Sequence, residues 1–158
     1  MTRRLAWLAL AAAWLAGCGG ISLDLTPRVR PLQETTLEGK GREKILLVEL
    51  HGVLAEEPLI TLEARPPVPL LARVREELVK AADDDRIRAV VLRINSPGGT
   101  VTASDILYHE LTRFKARRKV PVVASILDVG ASGGYYVALA ADRIVVHPTT
   151  ITGSIGVL

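Results

Sequence analysis

Apolar residues in this chain alternate between two textures. Ile45-Leu46-Leu47-Val48-Glu49-Leu50 is nearly continuous in apolar side chains and ends at His51-Gly52, a pattern that predicts a strand in a sheet covered on both faces. Ala89-Val90-Val91-Leu92-Arg93-Ile94 and the stretch from Pro121 to Leu127 repeat it, and Ile144-Val145-Val146 forms a shorter fourth run. Between these runs the spacing becomes helical. Leu71, Val74, Leu78 and Ala81 follow the Pro66-Pro67-Val68-Pro69 break, and Leu107, Leu111 and Phe114 mark a second helix. Thr102-Ala103-Ser104-Asp105 resembles a capping box at its start, with Asp in place of Glu. A short helix is expected from Tyr135 to Ala141. Strands and helices in alternation imply α/β layering with mostly parallel pairing.

The N-terminus has another character. Arg3 and Arg4 precede an apolar run from Leu5 to Ala16, which as a helix spans only about 18 Å against about 30 Å of bilayer core. Leu15-Ala16-Gly17-Cys18 puts small residues directly before the only cysteine and resembles a bacterial lipobox. Residues 1–17 are therefore expected to be a lipoprotein signal peptide, with Cys18 lipidated and the protein anchored in a bacterial cell envelope, facing away from the cytoplasm. An ordinary signal peptide with an incidental cysteine is the other reading. Residues 18–43, with Pro27, Pro31 and Gly39-Lys40-Gly41 and no sustained periodicity, read as a flexible tether to a domain over residues 44–158.

Charge narrows the partners. The 158 residues carry 20 basic and 17 acidic side chains, and removing the leader takes away Arg3 and Arg4, leaving 18 against 17. A net charge of +1 is no nucleic-acid footprint. Arg113, Lys115, Arg117, Arg118 and Lys119 cluster without interleaved aromatics, which suits the solvated end of a helix. His51, His109 and His147 form no metal set, and no cofactor is expected.

Two glycine-rich turns carry the candidate chemistry. Asn95-Ser96-Pro97-Gly98-Gly99 and Gly130-Ala131-Ser132-Gly133-Gly134 each follow a predicted strand and precede a helix, so both belong at the carboxyl edge of the sheet. Ser132 is placed for a nucleophile, and the first turn can present backbone N–H groups unobstructed by side chains. Glycine is also the default residue of any tight connection, so each turn alone is equally readable as a linker. Gly130-x-Ser132-x-Gly134 matches a nucleophile elbow with Asp142 and His147 following in hydrolase order, but a strand between those two would separate them by about 16 Å.

The run from Leu92 to Ser104 resembles the oxyanion segment of the signal peptide peptidase A family, and Gly130 to Tyr136 resembles its nucleophile segment. Ala140 to Val145 and Pro148 to Val157 continue the likeness. The resemblance implies a ClpP/crotonase-like layered fold and a Ser-Lys dyad acting on membrane-associated peptides such as spent signal peptides, in members that assemble into homo-oligomeric rings. It implies Ser132 as nucleophile, N–H groups of Gly98 or Gly99 and of Gly133 around the oxyanion, and Ser154 orienting the base. The family's lysine lies well after the serine or in a preceding domain. Here Lys40, Lys44, Lys80, Lys115 and Lys119 all precede Ser132, and none sits in such a segment. The expectation is an N-terminal part of a peptidase domain, incomplete at its C-terminus and inactive without that lysine. Two other readings remain at this point, a catalytically inert lipoprotein fragment or scaffold and a crotonase-like acyl-CoA enzyme. Export opposes the second, because CoA is a cytoplasmic cofactor.

Overall fold

The computed structural model describes residues 32–56 and 68–156. The elements in order are β1 (Lys44–His51), α1 (Leu70–Ala82), β2 (Ile87–Ser96), α2 (Val101–Arg118), β3 (Val122–Ala131), α3 (Gly133–Ala138), β4 (Arg143–Val146) and β5 (Ile151–Gly153). The leader, Cys18 and Pro66-Pro67 lie outside the described residues. Every strand pair is parallel. The sheet runs β1-β2-β3-β4, and β5 pairs with β3 beyond the point where β4 ends. Parallel strands enter from one edge and helices return the chain, so each strand-to-helix turn lies on the opposite, carboxyl edge.

The period-two pattern decides which side chains meet the helices. Val48 and Leu50 of β1, Val90, Leu92 and Ile94 of β2, and Val122, Ala124 and Ile126 of β3 form one buried face. Val74 and Leu78 of α1, Leu107, Leu111 and Phe114 of α2, and Val137 and Ala138 of α3 complete the same core. The apolar runs predicted cover on both faces, and the described residues differ. All three helices bury their stripes in one core, while the other sheet face carries half-buried Leu47, Val91 and Val123 and exposed Ile45 and Val145. Among the described residues no helix is long and apolar enough to cross a membrane.

Local chemistry moved several predicted boundaries. The second helix is capped by Thr100, whose Oγ1 accepts from Ala103 N at 3.2 Å, two residues before the expected box. Ser104 turns its hydroxyl back to the Thr100 carbonyl at 2.8 Å, and Asp105 accepts from Tyr136 rather than reaching its own cap. α3 starts at Gly133 and ends at Ala138, because Leu139, Ala140 and Ala141 each donate to the carbonyl three residues back and tighten the chain. The basic cluster ending α2 is more than a solvated face. Arg118 donates to the carbonyls of Ala82 and Asp84 and pairs with Asp85, and Arg117 reaches Asp83 at 3.3 Å, clasping the end of α1.

Asp84 anchors the amino edge of the sheet. Its carboxylate accepts from the Arg86 side chain, from Lys44 Nζ at 2.8 Å and from the Arg86 backbone N–H, and these contacts hold it far below the usual carboxylate range. Asp142 is lowered as well, first by the Val122 N–H and then by Lys115. A carboxylate with a depressed folded pKa contributes stability above its unfolded pKa, and that contribution is lost as pH falls toward the folded value. The melting temperature should therefore decline below about pH 4. Asp84→Asn should flatten that decline in a pH series of thermal melts, and an unchanged acid limb would contradict the assignment.

Candidate active site

β3 extends four residues past the predicted strand, to Ala131, and Ser132 begins the turn into α3 with φ 49° and ψ −124°. A non-glycine residue is rarely found there, and such backbone costs about 1–3 kcal/mol unless its surroundings hold it. Two hydrogen bonds do so. Ser132 N donates to the Gly153 carbonyl at 2.7 Å, and the Ser132 carbonyl accepts from Tyr136 N at 3.0 Å. The short strand β5 thus exists beside the end of β3, where it pins the elbow. Ser132 itself is half-buried.

The first glycine turn packs directly against this elbow. Gly98 adopts φ 103°, and a Cβ built on it would lie 2.7 Å from Ser132 Cβ and 2.8 Å from Gly133 N, so no side chain fits between the turns. A Cβ on Gly99 would overlap the Leu54 main chain. That contact comes from a pairing not predicted from the sequence. After β1 the chain continues through Gly52, Leu54 N donates to Gly98 O at 2.9 Å, and Thr100 N donates to Leu54 O at 2.9 Å.

Backbone donors at the meeting point differ in availability. Gly98 N donates to Ser96 Oγ at 3.1 Å. Among the described residues neither the Gly99 N–H nor the Gly133 N–H has an acceptor. Gly99 N lies 3.4 Å from the Cβ position of Gly133, so the two free N–H groups lie close together beside Ser132. A half-buried hydroxyl beside two unpaired N–H groups is an arrangement that can attack a carbonyl and receive the negative charge formed on its oxygen.

The other expected residues are more dispersed. Ser154 follows Gly153, is exposed, has φ 53° and makes no hydrogen bond among the described residues. Lys44 opens β1, while Lys80, Lys115 and Lys119 end helices, so these four lie at the amino edge, opposite Ser132. The length of β3 separates the two edges by about 30 Å. Lys80 is held by the Leu32 carbonyl at 2.5 Å and Lys115 by Asp142 at 3.1 Å. Asp142 precedes β4 and binds Val122 N, while His147 follows β4 and bonds Thr149 through Nδ1, which leaves them at opposite ends of that strand. The described residues include no cluster of three or more potential metal ligands.

Three residues at the site, Tyr136, Asn95 and Ser96, have roles that only their tertiary contacts show. Tyr136, one turn beyond Ser132, donates its hydroxyl to Asp105 at 2.9 Å and stacks 5.0 Å from the Tyr108 ring, tying α3 to α2. The Asp105 carboxylate holds the Tyr136 phenol above its ordinary pKa. Asn95 links β2 to the end of β3, donating to Asp128 at 3.1 Å and accepting from Val129 N at 3.2 Å. Ser96 is fully buried between Gly52 and Gly98. Its place in the buried period-two row of β2 was the available signal, because a hydroxyl there needs partners.

Residues 114–158 match peptidase family S49. The chain is 46% identical to Protease 4 of Haemophilus influenzae over 114 residues, covering 72% of this chain and 18% of that protein. It is 39% identical to the chloroplastic serine protease SPPA of Arabidopsis thaliana over 121 residues, covering 75% of this chain and 17% of that protein. The chain therefore spans less than a fifth of the length of these two relatives. A solved structure of the 1510-N membrane-bound stomatin-specific protease superposes with a TM-score of 0.56 at 16% identity, over 75% of this chain and 51% of that one. At that identity the likeness speaks for the fold alone, and the expected α/β layering with parallel strands is the one observed.

Proposed function

Because residues 114–158 match peptidase family S49 and the chain is similar to serine proteases of the Protease 4 and SPPA type, we propose that it works as a serine endopeptidase with Ser132 as its nucleophile. The observation that carries the reading is the strained Ser132 held beside the two unpaired N–H groups of Gly99 and Gly133. Ser132 Oγ attacks the peptide carbonyl carbon while a base takes the hydroxyl proton. The oxyanion is received by Gly99 N–H and Gly133 N–H, with Gly99 preferred over Gly98 because the Gly98 donor is engaged by Ser96. Collapse of the tetrahedral species expels the amine, which takes the proton from the base, and water then hydrolyses the acyl-enzyme.

The base in this reading is a lysine held neutral by burial. Lys44, Lys80, Lys115 and Lys119 sit at the far edge of the sheet and are not placed to serve, and Ser154 is read as the neighbour that orients the base. The substrates are membrane-associated peptides such as remnant signal peptides. The anchor is a lipidated Cys18, the location is the bacterial cell envelope, and the assembly is a homo-oligomeric ring. These four assignments rest on the sequence resemblance.

Fluorophosphonate treatment of the source cells, followed by tryptic mass spectrometry, tests the reading. One phosphonyl adduct is expected on the peptide Val120–Arg143, at Ser132. Recovery of that peptide unmodified, while other serine hydrolases of the same cells are labelled, would overturn it.

A further inference from the structure

We propose that Ser96 is the positioning residue of the oxyanion site. The inference rests on the reading of Ser132 as nucleophile and of the Gly99 and Gly133 N–H groups as its oxyanion donors. β2 places Val90, Leu92, Ile94 and Ser96 in one row facing the helices, and all four are inaccessible to solvent. A hydroxyl in such a row is costly unless both its donor and its acceptor capacity are used. Here both are used, and both act on the site. Ser96 Oγ donates to the Gly52 carbonyl at 2.7 Å and accepts from Gly98 N at 3.1 Å.

The first bond holds the exit of β1 at Gly52, from which the chain continues to pair Leu54 with Gly98 and Thr100. The second occupies the Gly98 N–H, which leaves the Gly99 N–H as the free donor of the turn. A Gly-Gly pair has no side chain to restrain its peptide planes and the largest backbone freedom to lose, so the orientation of this donor depends on tethers from outside the pair. Ser96 also touches the second turn. A Cβ on Gly134 would lie 2.8 Å from the Ser96 carbonyl oxygen, and Ser96 stands in register with Gly130. One buried residue thus sets the β1 exit, the oxyanion turn and the first turn of α3 against one another, without touching the reacting atoms.

The test compares Ser96→Ala, Ser96→Cys and Val74→Ala, a cavity variant in α1 remote from the turns, in protein isolated from the source cells. For each, kinact and KI for fluorophosphonate capture at Ser132 are measured beside the melting temperature. Ser96→Ala should lower kinact by about 10- to 100-fold, a fraction of what loss of a whole oxyanion donor costs, with KI changed by less than about twofold. Val74→Ala should lose melting temperature but keep kinact. Ser96→Cys, with a weaker donor and acceptor in the same place, should fall between wild type and Ser96→Ala, and it carries the test if the alanine variant does not fold. Wild-type kinact in the Ser96 variants, or equal slowing in Val74→Ala at matched stability, would overturn the role of Ser96 and leave Ser132 as nucleophile. Absence of capture at Ser132 in the wild type would remove both.

Discussion

Ser132→Ala is expected to abolish fluorophosphonate capture and peptide cleavage while leaving the fold intact. The substitution removes one oxygen, and the hydrogen bonds that hold the elbow run through the Ser132 backbone N–H and carbonyl, which remain. Loss of a serine peptidase nucleophile costs on the order of 10⁶ in turnover, with the residual rate coming from the oxyanion donors and binding. Stability separates this loss from unfolding. Alanine keeps a Cβ at φ 49° and so keeps the backbone strain, whereas glycine relieves it. Ser132→Gly should therefore melt above Ser132→Ala, and both should be catalytically silent. A rate within about 100-fold of wild type in either variant would remove Ser132 from the chemistry, and equal melting temperatures would show that the elbow is not strained.

Gly98→Ala should have the largest effect on stability and a clear effect on activity, though a smaller one than loss of Ser132. Its Cβ would stand 2.7 Å from Ser132 Cβ and 2.8 Å from Gly133 N, closer than real Cβ contacts come, at a φ of 103° that L side chains rarely adopt. Strain and overpacking each cost about 1–3 kcal/mol, so the variant should lose several kcal/mol. In a domain of this size that lowers the melting temperature by about 10–20 °C. The turns can relieve the clash only by moving apart, which also separates the Gly99 and Gly133 donors, and capture at Ser132 should slow at least about 100-fold. Gly39→Ala is the control. Gly39 has φ 90° with nothing within 4 Å of its Cβ position, so its replacement carries the backbone penalty alone and should leave capture unchanged. Comparable losses from the two substitutions would mean that contact between the turns is unimportant.

How far the site was legible depended on whether its parts are local in the chain. Both glycine turns, the strands before them and the helices after them could be read from Ile94-Asn95-Ser96-Pro97-Gly98-Gly99 and Gly130 to Gly134, because hydrophobic period and glycine placement are local properties. That both turns share the carboxyl edge followed from parallel pairing. The choice of Gly99 over Gly98 did not follow, since it depends on a hydroxyl from β2 meeting the exit of β1 across 44 positions of sequence. The cap at Thr100 is not legible locally because Thr102-x-x-Asp105 offers an equally good pattern, and only the pairing of Thr100 N with Leu54 decides where the helix begins. β3 runs four residues past the strand its apolar pattern predicts, because its extension is paired by β5, a three-residue strand too brief to announce itself.

The order of elements through β4, the parallel α/β class, the carboxyl-edge placement of Ser132 and the likeness to signal peptide peptidase A were determined by the sequence alone. Each rests on neighbouring residues or on motifs of a few positions. Tertiary structure decided which N–H groups stand free, what holds Ser132 in its strained backbone, and that Lys44, Lys80, Lys115 and Lys119 lie at the edge away from it. Those facts depend on residues far apart in the chain being brought within a few ångströms, and a hydrogen-bond partner across the sheet leaves no periodic trace in the sequence that supplies it.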